Sequence, residues 1–336
     1  MTKDKQLTCS FTYQIIIGLV VLSLSFAVAM LLGAAETTAR DVWLALTSNV
    51  KSESVNIIRE LRLPREIAAI LVGAGLSVAG AIMQGMTRNP LADPGLLGLT
   101  AGANAALAVT LAIFPATNYF GMTIACFIGA GVGAGLVFGI GSLKRGGFSP
   151  FRIVLAGAAV SAFLFAVAEG VSLTFKVSKD VSMWTAGGLV GVSWTQIQVI
   201  LPFILIGLVI SFLLARQLTI LSLNEEVAVG LGQKTTQIKA ILFILIILLT
   251  GTAVAVVGNI AFLGLMIPHI VRPIVGKDYR SILPMSAVFG AAFMLLADTV
   301  SRTINAPYET PVVAIISLMG LPFFLFIVQK GGRSFS

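Results

Sequence analysis

The chain has 336 residues, of which 57% are hydrophobic and 11% are charged, and its mean hydropathy is +1.00. Such a chain cannot hide its apolar surface by folding as a soluble globule, so its main solvent must be lipid. The net charge of +8 comes from basic residues that stand singly or in small clusters between apolar segments, which is typical of membrane topology and not of nucleic-acid binding. We predict one all-α membrane domain over residues 1–336.

Apolar segments long enough to cross a bilayer recur along the whole chain. We predict about ten transmembrane helices, with the first retained as an anchor: 11–33, 66–86, 95–114, 119–141, 152–173, 195–215, 237–257, 260–275, 282–301 and 310–329. The eighth is short, and we expect Pro268 to break it.

The basic residues set the predicted orientation. If the N-terminus is cytoplasmic, 14 of the 22 lysines and arginines lie on the inner side and eight on the outer side, where most fall in one long segment over 34–65. An even number of spans then places both termini in the cytoplasm. We expect a multi-pass protein of a bacterial cytoplasmic membrane.

Glycines are dense in the fourth predicted span, at Gly129, Gly131, Gly133 and Gly135. Small residues at this spacing favour close helix packing. A phosphate-binding loop is the alternative, but the sequence has no GxxxxGK[ST] motif, and the segment 232–235 lacks the upstream glycine. We therefore expect any ATP hydrolysis to occur on another chain.

A cluster of charges begins the second predicted span. Arg62 and Arg65 flank Pro64 at the predicted outer surface, where they could either anchor the helix in the interface or dock an acidic extracellular partner. Near the outer end of the ninth span, Arg302 follows Asp298 by four residues, a spacing that predicts an intrahelical ion pair.

The longest predicted inner loop covers 216–239. Within it, residues 225–232 combine two glutamates with small apolar residues. This strip could form a short amphipathic helix that lies on another protein, or it could be an ordinary solvated loop.

The sequence offers little for catalysis. Its acidic residues Glu169, Asp298 and Glu309 are placed near outer helix ends, which weakens a proton-relay mechanism, and His269 is the single histidine. One histidine makes no metal site. We expect no catalytic residues, no metal site and no cofactor.

Several motifs in order along nearly the whole chain resemble the iron-siderophore and cobalamin permease family (FecCD type) of binding-protein-dependent ABC importers. They are the segments 62–65, 84–95, 155–157, 264–272, 296–298 with Arg302, and 320–324. Each motif is weak alone, whereas their order and spacing are specific.

The resemblance implies a type II ABC importer permease that works by alternating access. Its partners would be a second permease subunit, two ATP-binding cassette subunits and an extracytoplasmic substrate-binding protein. The implied cargo is a ferric siderophore, with the hydroxamate type favoured and with cobalamin or haem as alternatives. An ion-coupled secondary transporter fits less well, because the predicted midplane has almost no ionisable residues.

The resemblance also implies roles for particular residues. Three arginines would dock the binding protein: Arg62, Arg65 and Arg302. Four residues would form the cytoplasmic gate: Asn89, Leu91, Ser149 and Pro150. The inner loop would couple to the ATPase through Glu225, Glu226, Ala228, Gly230 and Gly232.

Overall fold

A computed structural model describes residues 11–33, 37–142, 150–186, 188–306 and 308–332. These residues form helices, turns and loops, which confirms the all-α prediction. The helices are α1 (Phe11–Leu31), α2 (Ala39–Thr47), α3 (Glu53–Ile57), α4 (Leu63–Thr87), α5 (Leu99–Ile113), α6 (Tyr119–Ser142), α7 (Pro150–Thr174), α8 (Ser178–Thr185), α9 (Trp194–Leu213), α10 (Ala215–Leu223), α11 (Glu225–Gly230), α12 (Thr235–Val257), α13 (Leu263–Val275), α14 (Tyr279–Thr303) and α15 (Val312–Gly332).

Ten apolar helices correspond to the ten predicted spans. Among the described residues, seven helices are long and apolar enough to cross a membrane. One is the continuous helix Glu53–Thr87, which includes α4, and the other six are α1, α6, α7, α9, α12 and α14. The other three, α5, α13 and α15, contribute shorter apolar stretches. The second span begins earlier than predicted because α3 continues through a π-helical turn, Ile58–Arg62, into α4.

Helix α4 lies at the centre of the bundle. It packs against α14, α12, α13 and α9, and nearly all of its residues from Ala68 to Met86 are buried. Two glycines permit the closest approaches: a Cβ on Gly80 would fall on the carbonyl oxygen of Gly264, and one on Gly73 would fall on that of Gly290. The helices can therefore touch backbone to backbone, as small residues allow in membrane proteins.

The glycine-rich helix α6 packs against α5 in the same way. Gly129 faces Gly102, and Gly133 faces Gly98, so a side chain at either position would meet backbone. Gly131 and Gly135 face open space. The packing interpretation is therefore correct for two of the four glycines, which stand one helical turn apart.

The interruption at the eighth span lies before Pro268 and not at it. Pro268 and Pro273 both lie inside α13, whereas residues 258–262 between α12 and α13 are not helical. Gly258 and Phe262 have φ values of +76° and +67°. The left-handed backbone at these two residues ends one helix and redirects the chain into the next.

The outer helices expose apolar side chains. Large hydrophobic residues on α1, α6, α7 and α9 are exposed, in contrast to the buried surface of α4. Because lipid tails solvate such side chains, this distribution suits a bundle embedded in a bilayer.

Candidate docking, gate and coupling sites

A chain of ion pairs joins three elements at one end of the bundle, which we call the arginine end. Arg65 of α4 lies 2.9 Å from Asp298 of α14 and 2.8 Å from Glu309, which precedes α15. Arg302 lies 3.1 Å from Asp298 and donates a hydrogen bond of 2.5 Å to Glu66. The intrahelical pair predicted between Asp298 and Arg302 is therefore present, within a larger network.

Most of this network is buried. The side chains of Glu66 and Asp298 are 0% exposed, that of Arg302 is 5% exposed and that of Arg65 is 11% exposed, whereas Glu309 is 35% exposed. Charges inside a membrane bundle are costly unless they pair, so the network binds α4 to α14 only while it is complete.

Arg62 is buried too, and it secures the segment that follows α1. Its guanidinium donates to the carbonyl oxygen of Met30 at 2.7 Å and to the Thr37 hydroxyl at 2.5 Å. A side chain on Gly33 would collide with it. Arg62 thus ties α1 to the start of the second span.

The three arginines predicted for docking come together in the structure. Arg62, Arg65 and Arg302 line a single cavity of about 340 Å³, together with Glu309 and residues 189–192. The sequence predicted Asp298 as a partner of Arg302, but it predicted neither the burial of Arg62 and Arg302 nor Glu66 and Glu309 as partners. The available signals were the predicted position of Glu309 near an outer helix end and the position of Glu66 next to Arg65 in the sequence.

The predicted gate residues begin at the opposite end of α4. Arg88 ends this helix with φ +52°, and Asn89 is exposed in the turn that follows. The Asn89 side chain accepts a hydrogen bond of 3.0 Å from the backbone N–H of Leu91, which is half-buried. Pro150 begins α7, and Ser149 lies outside the described residues.

The predicted coupling segment folds into two short helices, α10 and α11. Helix α11 starts at Asn224, whose side chain accepts from the Glu226 N–H. Lys239 of α12 donates to Glu225 at 2.5 Å, and Ala228 is buried. These contacts fix α11 against the end of the bundle, so the strip is a helix and not a loop.

Helix α11 and the turn that follows it expose three apolar side chains beside the exposed Glu226. Val227, Val229 and Leu231 are 46%, 57% and 67% exposed. Gly232 ends the segment with φ +79°, a conformation that favours glycine. An exposed apolar strip on a short, anchored helix has the chemistry of a protein-binding surface.

The same end of the bundle is held by Asp278, which caps α14. Its carboxylate accepts hydrogen bonds from the backbone and side chain of Arg280 and from the Thr219 hydroxyl of α10. The side-chain hydrogen bond from Arg280 is the main reason that the pKa of Asp278 is lowered. We call this end of the bundle the α11 end.

The arginine end and the α11 end lie at opposite ends of α4 and α14. Helix α4 has 25 residues, so at 1.5 Å per residue the two ends are about 37 Å apart. This separation exceeds the hydrocarbon thickness of about 30 Å. The two candidate interaction surfaces can therefore lie on opposite sides of one membrane.

Two further cavities adjoin in the described part of the bundle, and the larger lies at the arginine end. The larger, of about 650 Å³, is lined by Arg65 and Glu309 at the arginine end and also by Asp180 and Trp184. A smaller one of about 310 Å³ is lined by Thr100, Asn104 and Trp184, among others. Because Trp184 lines both, the cavities adjoin at this residue.

The described residues form an all-helical bundle with ten apolar helices and close glycine contacts, which define a multi-pass membrane protein. Residues 20–330 match the model of the FecCD transport family. The chain belongs to this family, which confirms the resemblance found in the sequence.

Individual relatives agree with this assignment. The chain is 46% identical over 320 residues to the iron(3+)-hydroxamate import system permease protein FhuB of Bacillus subtilis, covering 95% of this chain and 83% of the relative. It is 37% identical to the ferric enterobactin transport system permease protein FepD of Escherichia coli, covering 94% of each. A solved structure of a metal-chelate type ABC transporter in an inward-facing conformation matches with a TM-score of 0.82 and 26% identity, covering 96% of this chain and 100% of that one.

Proposed function

We propose that this chain is the membrane-spanning permease subunit of an ABC importer for ferric hydroxamate siderophores. The observation that carries the proposal is the 46% identity to an iron(3+)-hydroxamate permease over 95% of this chain. Cobalamin and haem remain the alternative cargoes. ATP would be hydrolysed on two separate cassette subunits.

The placement of the two candidate surfaces supports this function. The arginine end would face the outside and receive the binding protein, and the α11 end would face the cytoplasm together with both chain termini. Within residues 216–239, α11 would lie on the ATPase through its apolar strip. A second permease subunit would complete the pathway, with Asn89, Leu91, Ser149 and Pro150 forming the cytoplasmic gate.

Docking at the arginine end would use Arg65 most directly. Its side chain is 11% exposed and already binds the half-exposed Glu309. A carboxylate on the binding protein would have to replace Glu309, since Arg62 and Arg302 are buried in internal contacts. Guanidinium groups bind carboxylates bidentately, which suits this exchange.

The docking proposal predicts a gain of affinity when Glu309 is neutralised. In Glu309→Gln the competing carboxylate is gone, so the binding protein should bind about 1.4- to 5-fold more tightly, as an exposed ion pair allows. Glu169→Gln, which removes another exposed carboxylate, is the matched control. Binding measured on the reconstituted complex at low and high salt decides the point: unchanged or weaker binding in Glu309→Gln would remove Arg65 from the docking site.

The cargo is tested by uptake in a strain deleted for this chain. The strain should lose uptake of radiolabelled iron from ferric hydroxamates and regain it with the wild-type gene. Parallel measurements with cobalamin and haem separate the alternatives. Unchanged hydroxamate uptake together with lost cobalamin uptake would assign the protein to cobalamin instead.

A further inference from the structure

A short helix at the arginine end turns apolar side chains away from the bundle. On α2, Trp43 and Leu46 are 68% and 53% exposed, and they share one face because they lie three residues apart. The opposite side of α2 packs on the protein through Ala45, which is buried in a cluster with Met30 and Ile58. The described residues of the chain thus leave the face of Trp43 and Leu46 largely uncovered.

The contact with α1 gives the level of α2 along the bundle. Helix α1 has 21 residues, about 32 Å of helix, which matches the hydrocarbon thickness of about 30 Å. Met30, which shares the buried cluster with Ala45, is one residue from the end of α1. Helix α2 therefore lies where the hydrocarbon core ends and the headgroups begin. Leu31 and Leu32 are 40% and 51% exposed, so the lipid-facing surface of α1 reaches the same level.

Side chains cap both ends of α2. Thr38 and Asp41 form a capping box at its start. At its end, the guanidinium of Arg59 donates to the carbonyl oxygens of Ala45 and Leu44 at 2.9 and 3.0 Å. Unpaired backbone groups are costly beside hydrocarbon, so these contacts suit a helix that lies against lipid.

The charges around α2 cancel. Residues 38–61 contain three basic and three acidic side chains, so their net charge is 3 − 3 = 0. Neither an acidic protein nor anionic headgroups would gain net attraction there. The boundary between headgroups and acyl chains fits the exposed face better, because tryptophan can place its ring in hydrocarbon and its N–H towards water.

We propose that α2 is an interfacial helix that inserts Trp43 and Leu46 into the lipid leaflet on the arginine side. Apolar contact and not charge holds it there. The inference requires that the bundle spans a membrane, and it does not depend on the cargo. Through Arg59, α2 is joined to the π-helical turn Ile58–Arg62 that leads into α4. The membrane surface thereby fixes the height of the start of α4, which carries Arg65.

Cysteine labelling tests the position of this face. Leu46→Cys and the control Glu53→Cys each place a thiol at a residue that is exposed in the chain alone. In a Cys9→Ser background the remaining native cysteine, Cys126, is buried. The whole complex is placed in phosphatidylcholine nanodiscs, and labelling of this chain is read after the subunits are separated. A water-soluble maleimide should leave Leu46→Cys unlabelled at a concentration that labels Glu53→Cys fully, and equal labelling would overturn the inference.

A second measurement distinguishes lipid from protein as the cover. Trp43→Phe keeps an apolar ring, so the emission of Trp43 is the difference between the wild type and this variant. Bromine atoms on the acyl chains near the headgroups should quench this emission. The quenched fraction should be equal in neutral and anionic lipid and at low and high salt, since residues 38–61 have no net charge.

Three results of the quenching experiment would overturn the inference. Emission that brominated lipid does not quench would place Trp43 outside the leaflet. Emission that changes only when the binding protein is added would assign the face of Trp43 and Leu46 to protein docking. Quenching that requires anionic lipid at low salt would replace apolar insertion by charge attraction.

Discussion

The buried ion-pair network makes a quantitative prediction at Asp298. Its carboxylate is 0% exposed and lies between two guanidinium groups, 2.9 Å from that of Arg65 and 3.1 Å from that of Arg302. In Asp298→Asn the shape is retained, but one negative charge is lost and an amide N–H₂ faces two donors. Breaking one partner of a buried charge network costs about 3–5 kcal/mol.

The same network supplies an internal comparison. Glu309 is 35% exposed, so Glu309→Gln should cost only about 0–1 kcal/mol. At about 2–4 °C per kcal/mol, Asp298→Asn should melt about 6–20 °C below the wild type and Glu309→Gln within about 4 °C of it.

Thermal unfolding of the detergent-solubilised protein measures these differences, with Asp180→Asn, at an exposed aspartate, as the control. Equal melting temperatures of Asp298→Asn and Asp180→Asn, or a lower melting temperature for Glu309→Gln than for Asp298→Asn, would refute the role of the buried network.

Three further predictions concern packing, coupling and pH. Gly80→Ala should lower the melting temperature because the new Cβ would fall on a backbone carbonyl of α13, whereas Gly131→Ala, which faces open space, should leave it unchanged. Equal melting temperatures of the two variants would contradict this packing. Val229→Asp places a charge in the exposed apolar surface of α11, so it should abolish stimulation of the ATPase by loaded binding protein without loss of membrane insertion. Retained stimulation would show that α11 does not couple to the ATPase. Asp278 has a lowered pKa in the folded state, so the stability that its carboxylate contributes is present at neutral pH and is lost as the pH falls below about 4. The melting temperature of Asp278→Asn should therefore lie below that of the wild type at pH 7 and approach it in acid. A difference in melting temperature that stays constant with pH would contradict this role of Asp278.

Much of the fold could be predicted because the bilayer imposes a length on apolar segments. All ten predicted spans correspond to apolar helices, and the short α11 also follows from a local pattern of acidic and small residues. The break at 258–262 was assigned to Pro268 instead, since proline inside a helix usually interrupts it. Here the left-handed residues Gly258 and Phe262 make the turn, and a positive φ at phenylalanine has no sequence signal.

The site was harder to predict because it depends on contacts across the chain. Arg65 and Asp298 are 233 positions apart, and their pairing follows only from the packing of α4 against α14. The sequence predicted the three arginines near the outer surface and a docking role for them, but it did not indicate that they are buried.

ATP-driven uptake by the purified complex in proteoliposomes tests the central claim most directly. The complex would contain this permease, its partner permease, the ATPase subunits and the binding protein, and the cargo would be radiolabelled ferrichrome. The account predicts accumulation inside the vesicles that requires ATP on the α11 side and binding protein on the arginine side. Accumulation that persists without ATP but follows an imposed ion gradient would contradict it.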